Sequence, residues 1–169
     1  MSGQGAERRS VERFVSTWTV RLDAKGRISI PAAFRALLVR DGLDHVYCLP
    51  SLDLPALDAG GLRLIAGIDS LVERFPPFSE AREELATVLY GAAETLRFDP
   101  EGRVVLTESL KTHAGITDQV VLVGLGPNFR IWEPVRFGDY RAEANAKVRA
   151  LKRNLGDPGA ARQVRGEPE

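Results

Sequence analysis

The first third of the chain alternates between strand-like and helix-like patterns of apolar residues. β-Branched and aromatic residues crowd 14–22, which predicts a strand, and Asp23 and Gly26 are typical of the turn that follows. Pro31 suits the first turn of a helix, on one side of which Phe34 lies. The predicted elements are strands over 14–22, 27–30, 45–49 and 52–57, and a helix over 32–39.

Two helices with a break between them are predicted for the middle of the chain. Apolar residues recur at helical spacing from Leu62 to Val72, and the sequence Phe-Pro-Pro-Phe at 75–78 interrupts that spacing. Ser79 begins a second helix, whose apolar positions include Leu85 and Leu89. Residues 61–91 are therefore predicted to form a helical connector.

The strand, turn, strand and helix pattern returns after the connector. Thr107 is predicted to cap the returning helix, and Gly115 to end it. Strands over 119–124 and 129–132 follow, and a last helix runs from about 134 to 154. The predicted organisation is a flexible arm 1–13, a first repeat 17–60, the connector 61–91, a second repeat 93–136, a C-terminal helix 137–155 and a disordered tail 156–169.

Residues 20–31 and 96–107 carry the same motif at a constant offset of 76 residues. A duplicated unit of under about 50 residues rarely buries an adequate core alone. The duplication therefore predicts one pseudo-twofold body in which each copy completes the other. The aligned pairs are Arg21 with Arg97, Asp23 with Asp99, Gly26 with Gly102, Arg27 with Arg103 and Arg35 with Lys111.

The two copies differ in net charge, although the whole chain has 23 basic and 23 acidic residues. Residues 20–40 hold five basic residues and one acidic residue, a net charge of +4, whereas residues 96–116 hold three of each. The first copy is thus suited to a polyanion and the second is not. A solvated charged face is the alternative that charge alone leaves open.

The side chains of the repeated turn suit nucleic-acid recognition. Arginine presents a fork that binds phosphate or the O6/N7 edge of guanine in two places, and Lys25 adds a point charge suited to phosphate. Asp23 is placed to accept a hydrogen bond from Arg27 and to orient it, although the same pair in a tight turn can be purely structural. The predicted DNA-binding residues are Arg21, Lys25, Arg27, Arg97 and Arg103, and the predicted motif-orienting residues are Asp23, Gly26, Asp99 and Gly102.

These motifs resemble the MraZ family of bacterial transcriptional regulators, which belongs to the AbrB/SpoVT group. The resemblance covers about residues 14–140. It is carried by Asp-Ala-Lys-Gly-Arg at 23–27, by Ile-Pro at 30–31 and Phe-Arg at 34–35, and by Asp-x-x-Gly-Arg at 99–103. His-Ala-Gly-Ile at 113–116, Val-Leu-Val-Gly at 121–124 and Ile-Trp-Glu at 131–133 match the second repeat.

The resemblance implies a mixed α+β, mainly β fold: a swapped-hairpin β-barrel of two AbrB-like repeats with pseudo-twofold symmetry, an inserted helical hairpin and a C-terminal helix. It also implies a ring-shaped homo-oligomer, larger than a dimer, that represses its own promoter. Such rings bind short direct repeats in double-stranded DNA upstream of a cluster for cell division and wall synthesis. The family's DNA-binding determinants fall on Asp23 and Arg27, and on Asp99 and Arg103.

Three positions depart from the family pattern. Ser16 stands where the family often has glycine, Thr107 replaces a proline, and Glu101 replaces the lysine of the first copy. The last of these weakens the attraction of phosphate to the second loop.

The residues fit two other classes of function less well. An enzyme with Asp23 and Asp99 as a carboxylate pair is disfavoured, because nearby cations keep such groups ionised. An antitoxin-like module that binds a protein through its tail is disfavoured because residues 134–169 lack a strong apolar stripe.

No metal, cofactor or membrane segment is predicted. His45 and Cys48 are two metal-ligand types but do not make a site, and 124–129 is predicted to be a hairpin turn and not a dinucleotide motif. One cysteine permits no internal disulfide, and neither a secretory signal nor a membrane span is evident. The prediction is a cytoplasmic, nucleoid-associated protein.

Overall fold

The computed structural model describes residues 12–156. Within that range the chain is a mixed α+β protein with eight strands and five helices. The predicted arm and tail fall almost wholly outside the described residues. The strands are β1 Thr17–Arg21, β2 Arg27–Ser29, β3 His45–Pro50, β4 Leu57–Gly60, β5 Glu94–Arg97, β6 Arg103–Val105, β7 Gln119–Gly124 and β8 Phe129–Trp132. The helices are α1 Ala32–Arg40, α2 Leu62–Val72, α3 Glu80–Leu89, α4 Glu108–Ala114 and α5 Pro134–Asn154.

Six strands form one antiparallel sheet in the order β1-β7-β8-β4-β3-β5, and β2 and β6 form a separate two-stranded ribbon. The six-stranded sheet is open, because β1 and β5 are edges that do not pair with each other. The closed barrel expected from the sequence is therefore not found.

Strand pairing joins the first half of the chain to the second. The edge strand β1 pairs with β7 of the second half, from Thr17 opposite Val123 to Arg21 opposite Gln119. Conversely, β5 of the second half pairs with β3 of the first. Neither half can satisfy the hydrogen-bonding groups of its own first strand, so the two halves depend on each other.

The main core lies between the sheet, the ribbon and helices α1 and α4. Its centre is an aromatic cluster in which the rings of Phe14, Trp18 and Phe129 lie within about 5 Å of the Phe34 ring. Ile28 and Val104, opposite each other on the ribbon, are fully buried in the same core. The apolar residues of both repeats thus fill one common interior.

The α2–α3 hairpin has a small core of its own. Ile68, Val72 and Leu89 pack with Leu49 of β3. Ser79 caps α3, because its hydroxyl accepts a hydrogen bond from the backbone N–H of Arg82 at 3.2 Å. The predicted connector is thus a helical hairpin that packs on β3.

Two predicted strands have the wrong bounds, and one predicted cap lacks its side-chain hydrogen bond. The strand predicted over 52–57 lies at Leu57–Gly60, and bends precede it. The first strand begins at Thr17, because Ser16 adopts a left-handed φ of 76° and leaves Phe14 in an isolated bridge to Gly126. Thr107 occupies the N-cap position of α4, as predicted, but its hydroxyl donates to the Glu94 carboxylate at 3.0 Å and makes no cap hydrogen bond.

The chain forms two compact units, the first ending at Pro134 and the second beginning at Val135. The second unit contains α5, a 21-residue helix with no buried residue among those described. No helix within residues 12–156 has both the length and the apolar character needed to cross a membrane.

Candidate nucleic-acid interface

The first motif loop is closed by the carboxylate of Asp23. Its Oδ1 accepts hydrogen bonds from the backbone N–H groups of Lys25 and Arg27, both at 2.9 Å, and its Oδ2 accepts one from Arg27 Nε at 2.6 Å. The predicted hydrogen bond from Arg27 to Asp23 is therefore present. Gly26 has a φ of 74°, a left-handed conformation that glycine adopts without steric cost.

The second motif loop repeats this arrangement. Asp99 Oδ1 accepts from the backbone N–H groups of Glu101 and Arg103 at 2.9 Å, and Oδ2 accepts from Arg103 Nε at 2.8 Å. Gly102 has a φ of 76°. The repeated sequence therefore folds into the same loop twice.

The ribbon of β2 and β6 holds the two loops together. Ile28 lies opposite Val104 at its centre. Beyond each end, the carbonyl of one motif glycine accepts a hydrogen bond from the other half: Leu106 N–H donates to Gly26 at 3.0 Å, and Ile30 N–H donates to Gly102 at 3.2 Å. The two loops are therefore held in a fixed relation to each other.

The two motif arginines share one carboxylate but differ in their surroundings. Among residues 12–156, Arg27 forms an ion pair with Asp23 and with no other carboxylate. Arg103 lies near three carboxylates: Asp99 at 2.8 Å, Glu101 at 3.3 Å and Asp23 at 3.9 Å. Both arginine side chains have 26% of their surface exposed. At equal exposure, an incoming phosphate therefore competes with more negative charge for Arg103 than for Arg27.

The hydrogen bonds shift the protonation equilibria of the loops. The backbone N–H of Arg27, followed by its side chain, lowers the pKa of the Asp23 carboxyl, and Arg103 does the same for Asp99. The hydrogen bond to Asp99, with the charges of Glu101 and Asp23, raises the pKa of Arg103. Two carboxylates held ionised in this way are unlike the proton-sharing pair of an acid–base enzyme.

The other predicted contact residues lie at the ends of strands or in the loop. Lys25 is exposed at the tip of the first loop. Arg21 and Arg97 are the exposed last residues of β1 and β5. Arg97 also donates to the carboxylate of Asp44 at 3.1 Å.

Sequence reasoning missed two cations beside the loops. The guanidinium of Arg35, on α1 of the first half, lies so close to Gly102 that a Cβ built there would be 2.4 Å from its Nη1. Lys111, on α4 of the second half, lies near Gly26 in the corresponding way, with its Nζ 3.6 Å from such a Cβ. The signal was present, because Arg35 and Lys111 align with each other in the repeat.

The residues considered as metal ligands or as a dinucleotide motif do not form such a site in the part of the chain that the structure describes. Among residues 12–156 no group of three or more metal-ligating side chains is found. Cys48 is fully buried in the main core, and burial raises the pKa of its thiol. Residues 124–129 join β7 to β8 as a hairpin, as predicted.

Comparison with known proteins identifies the same family that the repeated motif resembles. A family model described as "MraZ protein, putative antitoxin-like" matches residues 89–155. A protein named transcriptional regulator MraZ from Azorhizobium caulinodans is 66% identical over 86% of this chain and 93% of its own length. Proteins of the same name from Xanthobacter autotrophicus and Rhizobium meliloti are 64% and 36% identical, each over 86% of this chain and over 93% and 98% of their own lengths. With this identity over most of its length, the chain belongs to the MraZ family.

Proposed function

We propose that this protein is a transcriptional regulator that binds double-stranded DNA through its two Asp-x-x-Gly-Arg loops. The observation that carries the proposal is the gathering of Arg27 and Arg103 around Asp23, with exposed Lys25 beside them. A rigid pair of guanidinium groups next to a solvated ammonium group suits one base contact and one phosphate contact. The name shared by the relatives supports the same function.

The finer form of the proposal concerns architecture and target. Residues 17–60 and 93–136 act as two AbrB-like repeats of a swapped-hairpin unit, for which the exchange of strands between the halves is the support. Copies of the chain assemble into a ring larger than a dimer. The ring binds short direct repeats upstream of its own gene, within the nucleoid of the cytoplasm, and represses the division and wall cluster.

Avidity follows from such an assembly. One loop pair covers few base pairs, so a single copy binds weakly. Adjacent copies that engage successive repeats raise the affinity by about 10²-fold or more through effective concentration. A DNA fragment with one repeat should therefore bind far more weakly than the full upstream region. Equal affinity for the two fragments would contradict the multivalent mechanism.

The experiment that tests DNA binding is a salt titration of the affinity for the upstream fragment, with single substitutions in the loops. Arg27→Ala should cost about 1–3 kcal/mol and relax sequence preference, because a base contact is lost. Lys25→Ala should weaken binding to all sequences about equally and flatten the salt dependence. Arg149→Ala, at an exposed position of α5, is the matched control for the loss of one positive charge.

The second loop provides the sharper comparison. Arg103→Ala should weaken binding less than Arg27→Ala, because three carboxylates already surround Arg103. Glu101→Lys gives the second loop the charge of the first, and should tighten binding and steepen its salt dependence. Each variant must assemble to the same mass as the wild type and unfold at the same temperature. If Arg103→Ala abolishes binding by an assembled protein while Arg27→Ala leaves it intact, the ranking of the loops is reversed.

A further inference from the structure

The tip of the α2–α3 hairpin displays a large aromatic side chain to solvent. Phe78 has 94% of its surface exposed, the largest value among the exposed apolar side chains of the described residues. A single exposed apolar side chain is common on soluble proteins, so its conformation and its surroundings decide whether it marks a contact.

The loop that carries Phe78 is held rigid. Two prolines precede Phe78, which has a left-handed φ of 64° that a bulky residue rarely adopts. Arg82 fixes both sides of the loop: its backbone N–H donates to the Ser79 hydroxyl, and its Nη1 donates to the Phe75 carbonyl at 3.2 Å. The side chain is therefore preorganised for insertion, which lowers the entropy cost of binding.

A cleft of about 410 Å³ lies along α2 of the same hairpin, between this helix, the segment that follows β3 and the β7–β8 turn. Its apolar lining includes Leu49, Ile68 and Leu89, which belong to the hairpin core. Leu52 and Leu71 also line it and are exposed. Polar side chains also line the cleft, among them Arg63 and the ion pair of Asp58 with Arg130. The cleft is thus mostly apolar, with a polar rim, and large enough for an aromatic ring.

Opposite charges flank the two features. Arg74 is exposed four residues before Phe78, and Asp53 is exposed among the residues that line the cleft. Within residues 12–156 neither of them forms an ion pair. A contact that inserts Phe78 into the cleft therefore offers each of these charges a partner.

We propose that Phe78 of one copy inserts into this cleft of a second copy, with Arg74 beside Asp53 across the contact. This inference rests on the self-assembly in the proposed function and names the surfaces that make it. The two surfaces differ, so each copy gives its aromatic ring to one neighbour and receives a ring from another. Such head-to-tail contacts produce rings when the rotation closes, and filaments when it does not.

Two substitutions separate the two halves of the contact. Phe78→Ser removes the inserted ring. Gly67→Leu fills the cleft: Gly67 lines it, a Cβ built there meets no atom within 4 Å, and leucine favours the helix more than glycine does. By mass photometry and sedimentation at micromolar concentration, the wild type should be larger than a dimer, and each variant alone should be monomeric.

An equimolar mixture of the two variants is the decisive measurement. The Gly67→Leu copy keeps its aromatic ring and the Phe78→Ser copy keeps its cleft, so one contact remains and the mixture should form a one-to-one dimer. Assembly of either variant to the wild-type mass would overturn the proposal, as would a mixture that stays monomeric. Circular dichroism and thermal unfolding show whether each variant is folded.

A charge exchange provides the independent test. Arg74→Asp and Asp53→Arg should each weaken assembly by about fivefold, and the double variant should recover it. Val39→Ser is the matched control for Phe78→Ser, because it also replaces an exposed apolar side chain, with 64% of its surface exposed, by serine. This control should assemble normally. Failure of the double variant to recover assembly would overturn the ion pair across the contact.

Failure of this inference is distinguishable from failure of DNA binding. Assembly that depends on Phe78 in a protein that does not bind the upstream fragment would overturn the proposed function and support the contact. A wild type that binds DNA as a monomer would overturn the contact together with the ring and its avidity, and would leave DNA binding by the two loops in place.

Discussion

The two motif glycines give a matched pair of substitutions whose costs the structure separates. Gly26 and Gly102 have nearly equal positive φ values, so alanine at either position carries the same conformational cost, about 1–2 kcal/mol. They differ in their surroundings. The nearest atom to a Cβ on Gly26 is the Leu106 carbonyl oxygen at 3.5 Å, whereas a Cβ on Gly102 meets the Arg35 guanidinium at 2.4–2.7 Å.

The additional cost at Gly102 can be worked from the contact that Arg35 must give up. Its Nε donates to the Ile30 carbonyl at 3.0 Å, and a hydrogen bond from a charged group contributes about 1.5–3 kcal/mol. Because the end of an arginine side chain moves easily, we expect part of this to be retained. Gly26→Ala should therefore cost about 1–2 kcal/mol and Gly102→Ala about 2–4 kcal/mol.

The assay is urea denaturation followed by circular dichroism at one fixed protein concentration, because assembly shifts apparent stability. Arg35→Ala removes the obstructing group, so in that background Gly102→Ala should cost no more than Gly26→Ala. The coupling energy of this double-mutant cycle measures the contact directly. Equal costs for the two glycines in the wild type, or a difference that persists without Arg35, would refute the reasoning.

Three further predictions follow from local features. The carboxyl groups of Asp23 and Asp99 have lowered pKa values in the folded protein. The stability that they contribute is therefore complete above about pH 4 and is lost as the pH falls through these lowered pKa values. In urea titrations from about pH 2 to 6, the free energy of unfolding should depend less on pH when both residues are replaced by asparagine. Ser16→Gly relieves a left-handed φ of 76° and should raise the free energy of unfolding by about 0.5 kcal/mol, measured by the same denaturation; a loss of stability would contradict the assignment of strain. Cys48 is buried with a raised thiol pKa, so a thiol reagent should modify it only after unfolding, and rapid modification of the native protein would show that the core opens.

The sequence was sufficient for α1 to α4 and for most strands because their apolar residues recur at regular spacing. The helix α5 was also predicted, although residues 134–169 lack a strong apolar stripe. It was insufficient at 52–57, where alternating apolar residues imitate a strand but Pro55 and the neighbouring bends prevent pairing. The strand lies at Leu57–Gly60, and it ends where the β7–β8 turn approaches closely, since a Cβ on Gly60 would be 3.2 Å from Asn128 Cβ.

In the candidate site, contacts within one loop could be predicted from the sequence, whereas contacts between the two halves of the chain could not. The hydrogen bond between Asp23 and Arg27 is local and was predicted from spacing within the turn. The contact between Arg103 and Asp23 and the approach of Arg35 to Gly102 join residues from different halves of the chain. The pairing of β2 with β6 brings these groups together, and the spacing within one repeat does not predict that pairing.

The pairing of β1 with β7 constrains how the chain can fold during its own synthesis. β1 leaves the ribosome first, yet its partner lies about a hundred residues further on, and β7 and β8 are also the strands that stand between β1 and β4. A nascent chain can form the β3–β4 pair and the α2–α3 hairpin early, and then add β5 to β3. Until β7 emerges, β1 exposes its hydrogen-bonding groups to solvent and to other chains. A message cut before the codon for Gln119 therefore yields an aggregation-prone fragment and not half a protein.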